Sequence, residues 1–166
     1  MLPPYCPCTQ MLKSENLYKP IYSETAEYGA LWIEESGMFS GMIMITNTFS
    51  FGIVRDSVLG WMITNKLNYN TYLPVVRGIY DGYLNDIRGQ HVKREHVFEA
   101  IETAQATITE GSVGAGAGVV SYDSKAGIGT SSRRVKLSGR EIHVGTLVLA
   151  SHGSRKEKVI SCVIED

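Results

Sequence analysis

The sequence has no long apolar run, no marked excess of charge of one sign and only three cysteines in 166 residues. No apolar stretch approaches the roughly 20 residues that a membrane-spanning helix needs, and the N-terminal residues lack the apolar core of a secretory signal. The net charge of −1 predicts no binding to nucleic acid or to an anionic membrane surface. Because an odd number of cysteines fits no closed disulfide framework, we expect a protein of the reducing cytoplasm.

The remaining composition is that of an ordinary globular domain. Hydrophobic residues make up 43% of the chain and charged residues 20%, so a core of useful size can form. The residues before Ala30 include several prolines and show no clear periodicity, and we find no internal repeat. We therefore predict an irregular segment at residues 1–29 and a single domain at residues 30–166.

Hydrophobic periodicity predicts helices in the first part of the chain and a series of strands in the rest. The apolar run Met42–Asn47 has the length of a strand that is buried on both faces, and residues 34–37 have the composition of a turn. A helical stripe begins at Val54 and ends near Asn65, and residues 93–107 show a second one. Further strands are predicted at residues 73–76, 116–122, 127–136, 141–150 and 159–164, with a hairpin turn at Ser138 and Gly139. This order indicates the α+β class.

Residues 110–133, EGSVGAGAGVVSYDSKAGIGTSSR, are rich in glycine and also carry apolar side chains for packing. Gly114, Gly116 and Gly118 are spaced every second residue, and no helical pattern follows them. A phosphate-binding loop needs a different glycine spacing and a helix after it, so we do not expect nucleotide binding. The alternative is a segment in which glycine lets another backbone or a layer of side chains approach very closely.

Histidine and cysteine spacing predicts neither a metal site nor a cofactor. His91 and His96 are five positions apart, so they do not share a helical face. Cys6 and Cys8 form a close pair, but a zinc site needs about four ligands and no second Cys/His pair accompanies this one. We therefore interpret these side chains as structural or incidental.

Patterns for a nucleophile or an acid–base pair are equally weak on the residues alone. Ser151 directly precedes His152, and neighbours on a strand point to opposite sides, so the two cannot easily pair. Asp81 and Asp86 lie in a turn-rich loop, where Asx-turns are commoner than a carboxylate pair or a metal site. Tyr80, at a predicted strand end, could aim its hydroxyl into a cleft and donate to a developing oxyanion, which is one interpretation among many.

Four stretches occur in an order that resembles one family of serine peptidases. They are WIEESGM (residues 32–38) leading into TNTFSFGIVRD (46–56), LPVVRGIYDGYLNDIRGQHV (73–92), the glycine-rich residues 110–133, and IHVGTLVLASHG (142–153). Together they are similar to the L-aminopeptidase/D-esterases and β-peptidyl aminopeptidases. The resemblance implies a layered α-β-β-α sandwich of the Ntn-hydrolase type and a precursor that cuts itself into two chains. A serine at the new N-terminus of the second chain then attacks N-terminal aminoacyl amide, peptide or ester bonds, with its own α-amine as base.

The resemblance also implies roles for particular residues. Tyr80 is retained as a donor to the oxyanion, and Ser151 stands where the family usually has asparagine as a second donor. Gly78 stands where a glutamate usually binds the α-ammonium group of the substrate. The nucleophilic serine of the family is expected beyond the end of this chain, because Ser161 lacks the preceding glycine of the family motif.

Two functions remain open at this point. The first is an α-chain-like fragment of an aminopeptidase, inactive by itself, with a peptide or aminoacyl amide as substrate and the missing C-terminal chain as partner. The second is a non-catalytic pseudoenzyme or interaction module derived from the same fold. Missing strands would leave open sheet edges and apolar faces, which favour association with a partner or a homo-oligomer.

Overall fold

The computed structural model describes residues 12–13, 28–37, 41–67 and 73–157. The helices of this part are α1 (Tyr28–Ser36), α2 (Phe51–Thr64) and α3 (Arg94–Glu102). Its strands are β1 (Leu12–Lys13), β2 (Met42–Asn47), β3 (Val75–Ile79), β4 (Val120–Ser121), β5 (Ser124–Lys125), β6 (Ile128–Leu137) and β7 (Arg140–Leu149). Helices in the first part and antiparallel strands in the second confirm the α+β class. The strand predicted at residues 159–164 lies outside the described residues.

The first sheet has the strand order β1-β2-β3. β2 and β3 run parallel, with α2 in the connection between them, whereas β1 pairs antiparallel with β2. All residues of β2 except Ile45 are buried, which confirms the prediction of a strand covered on both faces. Asn47 at the end of β2 is level with Ile79 at the end of β3. The carboxyl ends of these two strands therefore meet at one edge of the sheet.

Helices pack on both faces of this sheet. Alternate residues of β2 point to opposite faces, so Met44 faces α2 and α3, whereas Ile43 faces α1. Ile43 packs there with Ile33 and Val75. The larger core on the other face consists of Met42, Met44, Val54, Val58, Met62, Val76, Val92, Val97, Ala100 and Ile101. Each large apolar side chain buried in this layer contributes roughly 1.5–3 kcal/mol, so the layer holds the carboxyl edge of the sheet firmly in place.

α1 was not predicted, and both α1 from Tyr28 and the short strand β1 lie in part or whole within the segment 1–29 that was predicted to be irregular. α2 and α3 differ from the prediction at their ends. The turn predicted at residues 34–37 is wrong, because α1 continues to Ser36. Gly37 has a φ of 71°, and its N–H donates to the carbonyl oxygen of Ile33 at 2.8 Å. A glycine in the left-handed conformation is a common C-terminal cap of a helix, so the turn-like composition marks the cap. α2 ends immediately before Asn65, as predicted, whereas α3 is shorter than the predicted range 93–107.

The glycine-rich segment forms a turn where the sequence predicted a strand. The prediction at residues 116–122 is wrong, because a 3-10 turn, Gly114–Gly118, precedes the short strand β4. A Cβ atom on Gly116 would lie 2.7 Å from the carbonyl oxygen of Gly111, closer than a real side chain can approach. The close backbone approach expected of these glycines is therefore present, but it occurs within a turn.

β6 and β7 form an antiparallel hairpin that belongs to neither of the other sheets. Its turn lies at Ser138 and Gly139, as predicted, with φ values of 50° and 78°. Two consecutive positive φ values are typical of a two-residue type I′ turn. Each strand has ten residues, and Ile128 at the base is the single buried residue among them. Leu147 and Leu149 are half-buried, and the other residues of the hairpin are exposed.

The base of the hairpin is fastened to the segment before it. A carboxylate oxygen of Glu110 accepts a hydrogen bond from the backbone N–H of Thr130 at 2.8 Å and a short one from its hydroxyl. Gly111 and Ile128 form an isolated antiparallel bridge beside this contact. None of the described helices is long and apolar enough to cross a bilayer.

Candidate functional site

A small polar cleft lies at the carboxyl ends of the parallel strands β2 and β3. Ligands in open α/β sheets commonly bind at this edge. The cleft is small, with a cavity volume of about 10 Å³, and it is partly open to solvent. The glycine-rich turn closes it from the other side. Its lining residues are Asn47, Ile79, Asp81, Asn85, Gly114, Ala115 and Gly118.

Asn47 ends β2 and contributes an amide to the cleft. Its side chain is 8% exposed, and its Oδ1 accepts a hydrogen bond from the backbone N–H of Ser50 at 2.9 Å. This contact caps the 3-10 turn that leads into α2 and fixes the orientation of the amide. Within the described residues, the Nδ2 group of Asn47 makes no hydrogen bond. The contact that Asn47 makes is therefore the cap through its Oδ1.

Asp81 is the charged group of the cleft and is 4% exposed. Its Oδ2 accepts a hydrogen bond from Nδ2 of Asn85 at 3.0 Å, and its backbone carbonyl accepts from the N–H groups of Leu84 and Asn85 at 3.1 Å. A buried carboxylate is costly unless such partners satisfy it. The carboxylate and the backbone carbonyl of Asp81 therefore hold residues 81–85 in a compact turn directly after the position of Tyr80. This turn is not an Asx-turn, because the side chain of Asp81 bonds another side chain; at Asp86, by contrast, Oδ1 accepts from the backbone N–H of Gly89 at 3.2 Å.

Gly118 makes the close packing of this turn against the glycine-rich segment feasible. A Cβ atom on Gly118 would lie 2.1 Å from Nδ2 of Asn85 and 2.6 Å from Cβ of Asp81. Lys125 secures the same segment, because its ammonium donates to the carbonyl oxygen of Gly116 at 2.8 Å and to that of Ala126. Partial burial lowers the pKa of Lys125. Gly118 thus serves packing around Asp81.

Tyr80 lies between two residues that line the cleft but does not line it itself. Its side chain is 49% exposed, and its ring meets that of Tyr83 edge to face, with 5.4 Å between the centroids. Gly82 leaves room for the hydroxyl, because a Cβ atom there would lie 2.6 Å from the phenolic oxygen. Within the described part of the chain, the hydroxyl has no hydrogen-bond partner. It is therefore free to donate to a substrate at the surface.

Ser151 is exposed in the segment that follows β7. The next residue, His152, fastens this segment to the β4–β5 turn. Its carbonyl oxygen accepts from the N–H of Tyr122 at 2.9 Å and from the hydroxyl of Ser121 at 3.2 Å, and the rings of His152 and Tyr122 pack edge to face. No hydrogen bond between described residues joins Ser151 to Tyr80. A joint role of the two residues remains a prediction.

The backbone of the turn after β2 lies close to Gly78, where the sequence resemblance led us to expect a glutamate. Gly78 lies in β3, level with Thr46 of β2. A Cβ atom on Gly78 would lie 3.1 Å from the Cα atom of Thr48, which is tighter than most real contacts. Glycine at this position therefore allows a close approach of the turn after β2.

Sequence reasoning missed Asn47 and Asn85 as cleft residues. The available signal for Asn47 was its place as a polar residue at the end of a mostly apolar strand, just before a helix. No comparable signal marks Asn85, because its contact with Gly118 joins distant parts of the chain. Among the residues that the structure describes, no three His, Cys, Asp or Glu side chains converge as metal ligands would.

Similarity to known proteins covers almost all of the described domain. The profile of peptidase family S58 matches residues 23–164. The beta-peptidyl aminopeptidase BapA of Sphingosinicella microcystinivorans is 48% identical over 128 residues, which are 76% of this chain and 32% of that protein. The BapA of Sphingosinicella xenopeptidilytica is 37% identical over 150 residues, which are 87% of this chain and 37% of that protein.

Solved structures share the fold. The L-aminopeptidase D-Ala-esterase/amidase of Ochrobactrum anthropi, described as a variant of the Ntn hydrolase fold, has a TM-score of 0.72 and 34% identity. A beta-aminopeptidase from a Burkholderia species has a TM-score of 0.72 and 36% identity. Each comparison covers 89% of this chain and 41% of the solved chain. The chain thus spans about a third of the length of its curated relatives, and it belongs to peptidase family S58.

Proposed function

We propose that this chain forms the oxyanion-binding wall of a serine aminopeptidase that hydrolyses N-terminal aminoacyl amide, peptide or ester bonds. The observation that carries the proposal is the 48% identity to a beta-peptidyl aminopeptidase within the S58 match. The attacking serine comes from the part of the family fold that this chain does not span. That part either continues this polypeptide or is a separate chain. We place the protein in the cytoplasm, consistent with its odd number of cysteines.

In this proposal the hydroxyl of Tyr80 donates to the oxyanion of the tetrahedral intermediate. The hydroxyl is exposed and unpaired within the described residues, and the turn built on Asp81 holds the backbone next to it. A donor that is held in place before the reaction stabilises the developing charge without reorganisation. Ser151 supplies the second donor through its hydroxyl.

Asn47 and Asp81 support this geometry indirectly, through the backbone. Asn47 caps the turn after β2, and Asp81 folds the turn after β3, so the two side chains set the ends of both parallel strands. They are positioning residues, since neither is expected to touch the substrate. A change in either would move the backbone that carries Tyr80.

The substrate is an aminoacyl amide or peptide that this chain recognises weakly at its ammonium end. Gly78 provides no carboxylate, and a hydrogen bond to a charged group contributes about 1.5–3 kcal/mol. We therefore expect a higher KM than for an enzyme with glutamate at this position, with a smaller effect on kcat.

The test is a hydrolysis assay with aminoacyl-p-nitroanilides. The chain is assayed alone and after co-expression with the unmatched part of the Sphingosinicella microcystinivorans relative. Release of p-nitroaniline by the co-expressed pair, and none by the single chain, is the expected result. Turnover by the single chain would place the nucleophile within these 166 residues and overturn the proposal.

A non-catalytic role is the second candidate, and the contact at Gly78 favours it. The approach of Thr48 to Gly78 leaves little room for the missing side chain. In that case the co-expressed pair would form a stable complex that binds aminoacyl amides, or a protein partner, without hydrolysis. The assay above separates the two functions when complex formation is measured in parallel.

A further inference from the structure

The turn between β4 and β5 holds the segment that carries Ser151. Tyr122 and Asp123 form this turn, and both contact residues just after Ser151. The N–H of Tyr122 donates to the carbonyl oxygen of His152 at 2.9 Å, and the two rings pack edge to face with 5.6 Å between their centroids. Oδ2 of Asp123 accepts from the backbone N–H of Arg155 at 2.9 Å. The turn therefore fastens residues 151–155 at two points.

The carboxylate of Asp123 caps the end of this segment. Arg155 begins a 3-10 turn, Arg155–Glu157, and the first N–H groups of a helical turn have no partner inside it. A hydrogen bond from such an N–H to a carboxylate is stronger than one between neutral groups. The contact joins residues 32 positions apart, so it fixes the segment relative to a distant element.

The residues of the turn are unusual for its conformation. Tyr122 and Asp123 have φ values of 51° and 58°, and two such values in a two-residue hairpin turn normally select Asn, Asp or Gly. A tyrosine in the left-handed region is strained, and such strain persists only where surrounding contacts hold it. The ring of Tyr122 meets His152, which a glycine could not do. Contact with residues 151–155 thus accounts for a tyrosine in this turn.

The other end of the β4–β5 hairpin is fixed to the cleft. Gly118, just before the hairpin, packs so closely that an added Cβ would lie 2.6 Å from Cβ of Asp81. Val119 follows and is fully buried, and its carbonyl oxygen accepts from the N–H of Ala126 at 2.9 Å. The base of the hairpin is therefore anchored beside the cleft, and its tip is anchored on residues 151–155.

We propose that the β4–β5 hairpin sets the position of Ser151 relative to Tyr80, with Tyr122 and Asp123 as positioning residues for hydrolysis. The inference rests on the proposed function, in which the two hydroxyls donate to one oxyanion. Two donors stabilise that charge together only when both lie within hydrogen-bond distance of it, and small displacements are costly. Because Ser151 is exposed, its position depends on the contacts of the segment that follows it.

Substitutions at Asp123 test the hairpin without disturbing the turn. Asp123→Gly removes the acceptor, and glycine adopts the φ of 58° without strain. Asp123→Asn also suits this conformation and keeps a side-chain oxygen that can accept from Arg155. Asp56→Ala is the control, because it removes a carboxylate that pairs with Arg94 at 2.6 Å between α2 and α3, at a surface that the proposal does not involve.

The first measurement is amide hydrogen exchange, which needs no activity. It is made on the single chain and on the pair co-expressed with the unmatched part of the Sphingosinicella microcystinivorans relative. The amides of Arg155 and Tyr122 should exchange at least about ten-fold faster in Asp123→Gly than in the unchanged chain. Asp123→Asn and Asp56→Ala should leave both rates within about two-fold. Unchanged rates in Asp123→Gly would overturn the proposal.

The second measurement is steady-state hydrolysis of an aminoacyl-p-nitroanilide by the co-expressed pair. Asp123→Gly should lower kcat about ten-fold and leave KM within about two-fold, because the displaced donor acts mainly in the transition state. Asp123→Asn should restore kcat to within about three-fold of the unchanged pair. The rate is expressed per serine that reacts with a sulfonyl fluoride, so that a loss of folded enzyme does not count as slower turnover.

The two measurements separate this inference from the proposed function. Faster exchange in Asp123→Gly with an unchanged kcat would overturn the positioning role, as would equal losses of kcat in Asp123→Gly and Asp56→Ala. An unchanged pair that forms but does not hydrolyse would reject the proposed function. The exchange rates of Arg155 and Tyr122 would then decide by themselves whether the hairpin holds residues 151–155.

Discussion

Single glycines decide how closely the chain packs around the cleft. The space next to Gly118 is filled by Asn85 and Asp81, and the space next to Gly78 by the backbone of Thr48. These positions differ from Gly129, which has no atom within 4 Å of an added Cβ. The contrast separates glycines needed for packing from those that tolerate a side chain.

Gly118→Ala should destabilise the fold, because its Cβ would lie 2.1 Å from Nδ2 of Asn85. Overpacking of this kind lowers the free energy of unfolding by about 1–3 kcal/mol. Urea denaturation of the purified chain measures the change. Gly129→Ala is the control and should alter stability by no more than about 0.5 kcal/mol. Similar effects of both changes on the free energy of unfolding would show that the close contact with Asn85 does not limit stability.

Tyr80→Phe tests the proposed oxyanion donor. Removing one such donor costs about 10²–10³-fold in kcat, and KM should change little because the donor acts mainly in the transition state. The measurement is steady-state hydrolysis by the co-expressed pair. Tyr83→Phe keeps the ring that packs on Tyr80 and should retain activity within about two-fold. If the Tyr80→Phe variant hydrolyses the substrate at the full rate, Tyr80 is not the oxyanion donor.

At the scale of residues, the sequence predicted only part of the candidate site. Tyr80 and Ser151 were reached through family resemblance, and their joint role is still a prediction. Asn47 and Asn85 were not predicted, because the cleft joins residue 47, residues 79–85 and residues 114–118. Such contacts between distant segments leave no local periodicity. The carboxylate of Asp81 was visible in the sequence, but its burial was not.

Elements with a strong local pattern were predictable, and elements built from distant contacts were not. An apolar run predicted β2, and a helical stripe predicted α2. The Ser138–Gly139 pair predicted the turn between β6 and β7. The 3-10 turn at Gly114–Gly118 was missed, because Gly116 packs on Gly111 and Ile128 outside the turn. α1 was missed as a helix, because its C-terminal cap at Gly37 has the same composition as a free turn.

The base of the hairpin should respond to acid through Glu110. Hydrogen bonds from the hydroxyl and the backbone N–H of Thr130 lower the pKa of this carboxyl. An unfolded glutamate has a pKa near ~4.3, so the contribution of Glu110 is fully present above that pH. It is lost as the pH falls through the lower folded pKa.

Thr130→Val removes the hydroxyl donor and should move the pKa of Glu110 upward, toward ~4.3. An NMR titration of the Glu110 carboxyl carbon gives the midpoint. Thr146→Val, on the exposed part of β7, is the control and should leave the midpoint unchanged. Identical midpoints for Thr130→Val and the unchanged chain would mean that the hydroxyl contact is absent in solution.

At the scale of the whole molecule, the described residues form a packed core around the first sheet and a hairpin with one exposed apolar face. One face of the first sheet is covered by α2 and α3, and the other packs against α1. The hairpin has one apolar face without a cover in the described residues. Class and family were predictable from ordered motifs. The hairpin face was not, because only the strand register shows which side chains share a side.

The central claim is that this chain supplies oxyanion donors to a serine that lies in the rest of the fold. The most direct measurement is labelling of the co-expressed pair with a serine-directed sulfonyl fluoride, followed by peptide mass mapping. We predict one labelled serine in the partner polypeptide, with loss of hydrolysis in proportion to labelling and no label on this chain. A label on Ser151, or on any other residue of this chain, that tracks the loss of activity would contradict the claim.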